Sequence, residues 1–235
     1  MPRTGTFDKR CQDCRMSKHL CLCSLIPRIE LKTRIIVLMH WKEAKLTTNT
    51  ANLACLALPN SEIKLRGEIA THLNGHADAD ALVFDPERAA LLYPTDDSIE
   101  LNEQTAKQLS SPLTLIVPDG SWRQAQKVPH REPSVRTLPK LRLPPGPPST
   151  FRLRYSPHEQ NLSTFEAIAR ALGILEGREV QKKLEEIFLI MVERTLWARG
   201  KLSAKDCTTK IPEDAFDVAR IAGTAGGKKK GWRSL

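Results

Sequence analysis

Four cysteines lie within thirteen residues near the start of the chain, and their spacing is the clearest indication of chemistry in the sequence. Cys11, Cys14, Cys21 and Cys23 follow the pattern Cys-x2-Cys-x6-Cys-x-Cys. Four thiolates can close a tetrahedral zinc site, and metal binding then folds a segment that is too small to have its own core. We therefore predict a structural zinc site. The alternatives are a redox pair, a set of iron–sulfur ligands, or no metal at all.

A second candidate site is the stretch VPDGSWRQA at residues 117–125, which follows the apolar run LTLI. The run predicts a buried strand, and ligands of open α/β sheets bind beyond the carboxyl ends of the strands. Asp119 stands at that position, and Gly120 lets the backbone turn. The alternative is structural: Asp119 and Ser121 cap the next helix, and Trp122 packs in the core.

Two further segments place polar residues where a predicted strand ends or a predicted helix begins. His40 and Glu43 follow the first predicted strand, and Asn49-Thr50 precedes a helical pattern. In the segment SPHEQNLSTFEAIA, Ser163 and Glu166 have the spacing of a capping box, which by itself indicates a helix start and no ligand.

Taken together and in this order, these motifs resemble those of the DTW-domain family. The namesake Asp-Thr-Trp turn stands here as Asp119-Gly120-Ser121-Trp122, with Ser in place of Thr, and is followed by the usual Gln124-Ala125. The other matching motifs are His40…Glu43…Asn49-Thr50, Ser163-Thr164-Phe165-Glu166-Ala167 and the N-terminal cysteine cluster. The resemblance runs from about residue 10 to about residue 200.

The resemblance implies a tRNA-uridine aminocarboxypropyltransferase with a SPOUT-like fold, whose cofactor pocket is a knotted loop. Such an enzyme transfers the 3-amino-3-carboxypropyl group of S-adenosylmethionine to N3 of a uridine in tRNA and releases 5′-methylthioadenosine. The alternatives are an S-adenosylmethionine-dependent RNA methyltransferase and a non-enzymatic RNA-binding protein with a zinc knuckle.

The same resemblance suggests a role for each candidate residue. Asp119 is expected to be the general base or to position the uridine. Cofactor contacts are expected from Ser121, Trp122, Ser163, Thr164 and Glu166. Substrate contacts are expected from Asn49, Thr50, Arg123, Arg152 and Arg154, and Lys127, Arg131 and the basic tail at 228–230 are further candidates for binding tRNA.

The elements that must position these residues follow from hydrophobic periodicity. Strands are predicted at 34–39, 62–67, 89–94, 112–118 and 151–155, with an extended segment at 135–143. Helices are predicted at 49–58, 100–109, 163–175 and 179–200, and another follows the turn at Asp119. This alternation predicts an α/β domain with a mostly parallel sheet at residues 31–200, after a cysteine-rich segment at 1–30 and before a polar basic tail at 201–235.

Composition narrows the class of partner. The 235 residues carry a formal net charge of +9, which favours a polyanion such as nucleic acid. Aromatic residues are only 5%, so an extended stacking platform for single strands is not expected. No run of about 20 apolar residues and no secretory signal is present, so no membrane association and a cytosolic location are expected.

Overall fold

The computed structural model describes residues 10–67, 82–154 and 161–216, and within them six strands form one sheet. The strands are β1 (Arg34–His40), β2 (Ser61–Arg66), β3 (Ala89–Leu92), β4 (Ile99–Glu100), β5 (Thr114–Asp119) and β6 (Lys140–Arg142). Their order across the sheet is β2-β1-β5-β3-β6-β4, and every neighbouring pair is parallel. The predicted α/β fold with a mostly parallel sheet is therefore confirmed.

Helices cover both faces of this sheet, as a parallel sheet requires. They are α1 (Ala51–Ala57), α2 (Glu103–Gln108), α3 (Trp122–Ala125), α4 (Val128–Arg131), α5 (Thr164–Leu175) and α6 (Arg178–Ala198). Single 3-10 turns occur at Lys18–Leu20, Glu43–Lys45, Pro86–Arg88, Pro133–Val135 and Ala204–Asp206. One buried cluster lies beneath α1, α5 and α6, and a second lies on the other face, beneath α3 and α4.

The central strands and the two long helices form where the apolar pattern predicts them. All six residues of β5 are buried, and so are the five inner residues of β1, because both strands lie inside the sheet. The helices α5 and α6 pack against each other through Phe165 and Phe188, whose rings stack at 4.8 Å. The turn between them uses Gly177 at φ 111°, a conformation that glycine adopts without a steric penalty.

Three local predictions differ from the structure. The segment 151–155 was predicted as a strand, but residues 151–154 form a turn and Tyr155 lies outside the described residues. The predicted extended segment at 135–143 contains a strand only at Lys140–Arg142, and the two-residue edge strand β4 was not predicted at all. Short edge strands carry too few residues for an alternating pattern to be visible.

The two ends of the described chain pack onto the α/β body. Met16, Leu20 and Leu22 of the cysteine-rich segment are buried in the larger core, as are Ile211 and Ala215 after α6. The predicted domain boundaries stay predictions, and the basic tail at 228–230 lies outside the described residues. Strand order alone does not establish a knot, so the knotted loop also stays a prediction. In the described ranges, no helix has the length and apolar character needed to cross a membrane.

Candidate active site

In the turn after β5, Ser121 stabilises the backbone, whereas Asp119 belongs to the candidate site. Ser121 begins α3, and both its backbone N–H and its hydroxyl donate to the Gln124 side-chain oxygen, at 2.8 and 2.9 Å. A side chain at Gly120 would come within 3.1 Å of Gln124, which explains the glycine in this tight turn. Ser121 therefore has the capping role that its position suggests, whereas the Asp119 carboxylate points elsewhere.

Asp119 lies at the carboxyl end of β5 and is held by side chains from two other segments. One carboxylate oxygen accepts a hydrogen bond from Asn49 Nδ2 at 2.8 Å, and the other accepts from Thr164 Oγ1 at 2.5 Å. Asn49 precedes α1 and Thr164 begins α5, so the three motifs meet at one point. A second contact ties the two helix starts together, because the Phe165 N–H donates to Thr50 Oγ1 at 3.4 Å.

The environment of Asp119 favours its protonated form. The side chain is only 7% exposed, and burial raises its pKa above the ordinary value of 3.8. The hydrogen bonds from Thr164 and Asn49 favour the ionised form and oppose this shift, while the nearby Glu43 adds to it. A buried carboxyl with a raised pKa beside a cavity is typical of a general base.

An ion pair lies in the wall of the same cavity as Asp119. Arg154 donates from Nη1 to Glu43 at 2.7 Å and from Nε to Thr48 Oγ1 at 2.9 Å. Glu43 is nearly buried, and Arg154 keeps further N–H groups that these two contacts do not use. Sequence reasoning placed Arg154 near the site but gave Glu43 no role. The signal was available, since Glu43 comes just after β1, at the same edge of the sheet as Asp119.

Glu166 lies in the first turn of α5 and accepts hydrogen bonds from residues that precede this helix. Its carboxylate accepts hydrogen bonds from the Ser163 N–H and hydroxyl, from Ser149 Oγ, and from the Thr150 N–H and hydroxyl, at 2.7 to 3.1 Å. The Glu166 N–H donates to Ser163 Oγ in turn. This capping box fixes the loop before α5 that carries Ser163 and Thr164, both of which face the cavity.

Two cavities adjoin at the turn. The larger, of about 380 Å³, contains Asp119, Asn49 and Thr50 in its wall together with Glu43, Arg154 and Arg123. The smaller, of about 160 Å³, is mostly apolar and opens at the carboxyl ends of β3, β5 and β6, against Leu92, Tyr93, Val117 and Leu141. Gly120, Trp122, Ser163 and Thr164 border both cavities.

Of the other predicted site residues, some border these cavities and one does not. Trp122 is 41% exposed and lies 6.3 Å from the Tyr93 ring, so it does not pack in the core but forms part of the wall between the cavities. Ser121 and Arg123 border the larger cavity. Arg152 is exposed and borders neither, because residues 151–154 form a turn and no strand.

The four cysteines of the N-terminal segment are gathered as a metal site requires. Their sulfur atoms lie within 4.8 Å of one another, with 3.5 Å between Cys11 and Cys23 and 3.7 Å between Cys14 and Cys21. Zinc–sulfur bonds of about 2.3 Å place tetrahedral thiolates about 3.8 Å apart, so the arrangement fits zinc. Hydrogen bonds, first from the Cys14 backbone, lower the pKa of Cys11 to about 7, whereas burial raises the pKa of Cys14 and of Cys23, so the case for metal binding rests on the sulfur positions.

This cysteine cluster is joined to the loop that carries Asn49. Arg15 donates to the Ala44 carbonyl at 2.6 Å, and Asn52 Nδ2 donates to the Asp13 carbonyl at 2.8 Å. On the other side, the buried Arg194 of α6 donates to the Cys21 carbonyl at 2.7 Å. The cluster is therefore connected by hydrogen bonds to the segments on either side of Asn49.

Comparison with known proteins agrees with this geometry. The DTW domain matches residues 8–196. The chain is 30% identical to tRNA-uridine aminocarboxypropyltransferase 2 of Drosophila melanogaster over 72% of this chain and 67% of that protein. It is 29% identical to tRNA-uridine aminocarboxypropyltransferase A of Arabidopsis thaliana over 77% and 79%, and 27% identical to tRNA-uridine aminocarboxypropyltransferase 2 of Macaca fascicularis over 71% and 56%. The matched region thus spans little more than half of the macaque protein, and the chain belongs to the DTW-domain family.

Proposed function

We propose that this protein transfers the 3-amino-3-carboxypropyl group of S-adenosylmethionine to N3 of a uridine in tRNA and releases 5′-methylthioadenosine. The relatives' names support the activity and the tRNA substrate. The observation that carries the proposal is the buried Asp119 carboxylate, held between Asn49 and Thr164 at the wall of a cavity. The cytosolic location inferred from the sequence remains a prediction.

The two cavities suit different parts of the reactants. The apolar cavity at the ends of β3, β5 and β6 has a lining that suits the nucleoside part of S-adenosylmethionine. The larger cavity then receives the aminocarboxypropyl end and the target uridine. Trp122, Ser163 and Thr164 border both cavities, so they would contact the cofactor near its sulfonium.

The carboxylate of the donor's amino-acid end needs hydrogen-bond donors. The backbone N–H groups of Ser163, Phe165 and Glu166 at the start of α5 already donate to side chains of the protein. Arg154 is the better candidate, because it borders the larger cavity and its contacts with Glu43 and Thr48 use only some of its N–H groups. We therefore assign Arg154 to the donor carboxylate and Arg123 to the RNA.

In this reaction Asp119 accepts the N3 proton of the uridine. The N3 lone pair then forms a bond to the γ-carbon of the methionine moiety, the carbon–sulfur bond breaks, and its electron pair stays on sulfur in the neutral thioether. Both Asp119 oxygens already accept one hydrogen bond, but a carboxylate oxygen can accept a second, so the N3–H has an acceptor. Holding N3 in line with the carbon–sulfur bond lowers the activation barrier, and this effect is largest where the site is rigid.

We also propose that the cysteine cluster binds one structural zinc ion. The four sulfur positions fit the ion, and bound zinc would hold the loop at 44–52 in place through the Arg15 and Asp13 contacts. The metal supplies folding free energy to the N-terminal segment, and the proposed transfer has no step at the metal.

Product analysis tests the proposed transfer. Purified protein is incubated with S-adenosylmethionine and unmodified tRNA, and the nucleoside products are identified by mass spectrometry. Methylthioadenosine together with aminocarboxypropyluridine is the expected outcome. S-adenosylhomocysteine as the only product would establish the methyltransferase alternative, and tRNA binding without affinity for S-adenosylmethionine would establish the non-enzymatic one.

The variant Asp119→Asn should abolish product. The matched control is Asp85→Asn. Asp85 is exposed and caps the turn before β3, so it lies at the amino ends of the strands, away from Asp119.

A further inference from the structure

A basic and aromatic surface lies beside the active site at the carboxyl ends of β1 and β2. We call it the β1–β2 surface, and it comprises His40, Trp41, Lys42, Arg66, Lys127 and Arg131. His40 and Arg66 are neighbours across the two strands, and the Trp41 N–H donates to the Arg66 carbonyl at 3.0 Å. A single aromatic side chain at this place is compatible with a chain in which aromatic residues are only 5%.

The ring of Trp41 is held in a defined position. It stacks on His40 with 6.0 Å between ring centroids, and Lys42 Nζ lies 5.3 Å from its centroid. Gly67 has φ 109°, and a side chain there would come within 2.6 Å of Trp41 Cδ1. The glycine therefore leaves room for a half-buried indole at the edge of the sheet.

The charged groups around this ring are mostly cationic. Burial and then the nearby Arg66, Lys42 and Lys127 lower the pKa of His40, whose Nδ1 accepts from the Lys42 N–H at 3.3 Å. Among the residues that the structure describes, the carboxylates that face the surface are Glu43, which faces His40 and pairs with Arg154, and Glu132, which faces Arg66.

Arg131 lies close to Arg66 and is exposed, as are Lys42 and Lys127. Counted over the described residues, the surface is therefore positive.

The β1–β2 surface is continuous with the catalytic turn. A side chain at Gly120, next to Asp119, would lie 3.5 Å from His40 Cβ. Arg66 Nη1 donates to the Gln124 carbonyl at 3.4 Å, which joins the edge of the sheet to α3. A polynucleotide that places one base in the larger cavity can therefore pass directly onto this surface.

Chemistry at N3 requires that the uridine's pairing edge be free. An enzyme that acts there takes a base that is unpaired, and proteins bind such single-stranded RNA by stacking bases on aromatic rings and by phosphate contacts. The β1–β2 surface offers both kinds of contact, because it has an aromatic ring among lysines and arginines next to the proposed catalytic carboxylate.

We propose that the β1–β2 surface binds the RNA strand adjacent to the target uridine. A neighbouring base stacks on Trp41, and Lys42, Arg66, Lys127 and Arg131 bind its phosphates. The identity of the polynucleotide as tRNA rests on the proposed function, whereas the surface and its role do not depend on which group is transferred.

The test measures tRNA affinity and S-adenosylmethionine affinity separately. Trp41→Ala removes the ring, and Trp41→Phe keeps an aromatic face. The double variant Lys42→Ala/Lys127→Ala removes two charges from the surface and keeps the Trp41 ring, although it also removes the contact of Lys42 with that ring.

The matched charge control is Lys182→Ala/Lys183→Ala, near the start of α6. That end of the molecule is remote, because Glu176, just before α6, accepts from the Thr33 N–H at the amino end of β1. Both control lysines are exposed.

We expect Trp41→Ala to weaken tRNA binding about tenfold and Trp41→Phe to stay near the wild type, with S-adenosylmethionine affinity unchanged in both. The surface double variant should lower the slope of log affinity against log salt by about two, and the control pair should not. Thermal melts and cofactor affinity show whether Trp41→Ala is folded. The lysine variants test the surface independently of the Trp41 variants, through the salt dependence of tRNA binding.

Wild-type tRNA affinity and an unchanged salt slope in the variants at Trp41, Lys42 and Lys127 would overturn the inference. That result is separable from failure of the proposed function. If the wild type releases methylthioadenosine but these variants bind tRNA normally, only the surface assignment fails. If the wild type binds tRNA through this surface and forms no product, the transfer fails and the surface stands.

Discussion

Replacing Asp119 with Asn tests the proposed catalytic role of the carboxylate separately from its structural role. The amide has nearly the same shape, and its oxygen can accept from Asn49 while its NH₂ group donates to the Thr164 hydroxyl, which is both donor and acceptor. The hydrogen-bonded network is thereby kept and the proton acceptor is lost. We expect a folded protein with near-normal affinity for S-adenosylmethionine.

The expected loss of rate is that of a general base. Such a group contributes about 10²–10⁴-fold, which corresponds to about 3–5 kcal/mol of transition-state free energy. The assay is methylthioadenosine release at saturating S-adenosylmethionine and tRNA, compared with Asp85→Asn. Turnover by Asp119→Asn within about threefold of the wild type would refute a role for Asp119 in proton transfer.

The pH dependence tests the same assignment in a second way. Burial raises the folded-state pKa of Asp119 above its unfolded value, so the folded protein holds a proton that the unfolded chain has released. Stability from this group is therefore full below the unfolded pKa and is lost as the pH rises through the folded pKa. Activity has the opposite dependence, because only the ionised carboxylate accepts the N3 proton.

Thr164 provides the matched pair for this measurement. Its hydrogen bond favours the ionised form of Asp119, so Thr164→Val should raise the pKa further and move the acidic limb of the rate profile to higher pH. Thr164→Ser keeps the hydroxyl and should leave the limb in place. If both variants leave it unmoved while Asp119→Asn is inactive, Asp119 positions the uridine and does not deprotonate it.

Three further predictions follow from contacts outside the catalytic carboxylate. Gly67→Ala should lower the free energy of unfolding by at least about 1 kcal/mol more than Gly177→Ala, measured by chemical denaturation; both have positive φ, but only Gly67 lies against Trp41. Elemental analysis should find one zinc per chain, and a strong chelator should lower the melting temperature and the activity together; a metal-free protein that stays folded and active would contradict this. Arg194→Met should weaken zinc affinity about 10–100-fold in a chelator competition, with Arg194→Lys less affected, because the guanidinium holds the Cys21 carbonyl; equal affinities would exclude that support.

The apolar elements were predictable because burial alone decides them. The run at β5 and the helical stripes of α5 and α6 are long enough for their period to be visible in the sequence. The segment FRLRY at residues 151–155 was wrongly predicted as a strand for a physical reason. Phe151 packs on Phe188 and Arg154 is drawn to Glu43, so the alternating pattern reflects two separate anchors on a turn and not a pleated strand.

The site was predictable in part. Asp119 and the cysteine cluster follow from position and spacing, since a strand end and four close thiols restrict the choices. The hydrogen-bond partners of Asp119 do not follow from the sequence. Asn49 is 70 residues away and Thr164 is 45 residues away, and the motif that contains each of them is also typical of a helix start. Only the sheet order, with β1 beside β5, brings the three together.

That sheet order also explains why the carboxylate can be costly to the fold and still be retained. Met39 and Asp119 are register partners, so the loop after β1 and the turn after β5 leave the sheet at the same level. Asn49 reaches Asp119 from the first, and α5 closes over both with Thr164. Burial there opposes ionisation, and the two hydrogen bonds offset this only in part, since the pKa remains raised. A group that served the fold alone would be more stable as an apolar residue or an amide. We therefore attribute the buried carboxylate at this point to the proton transfer that we propose for it at the cavity wall.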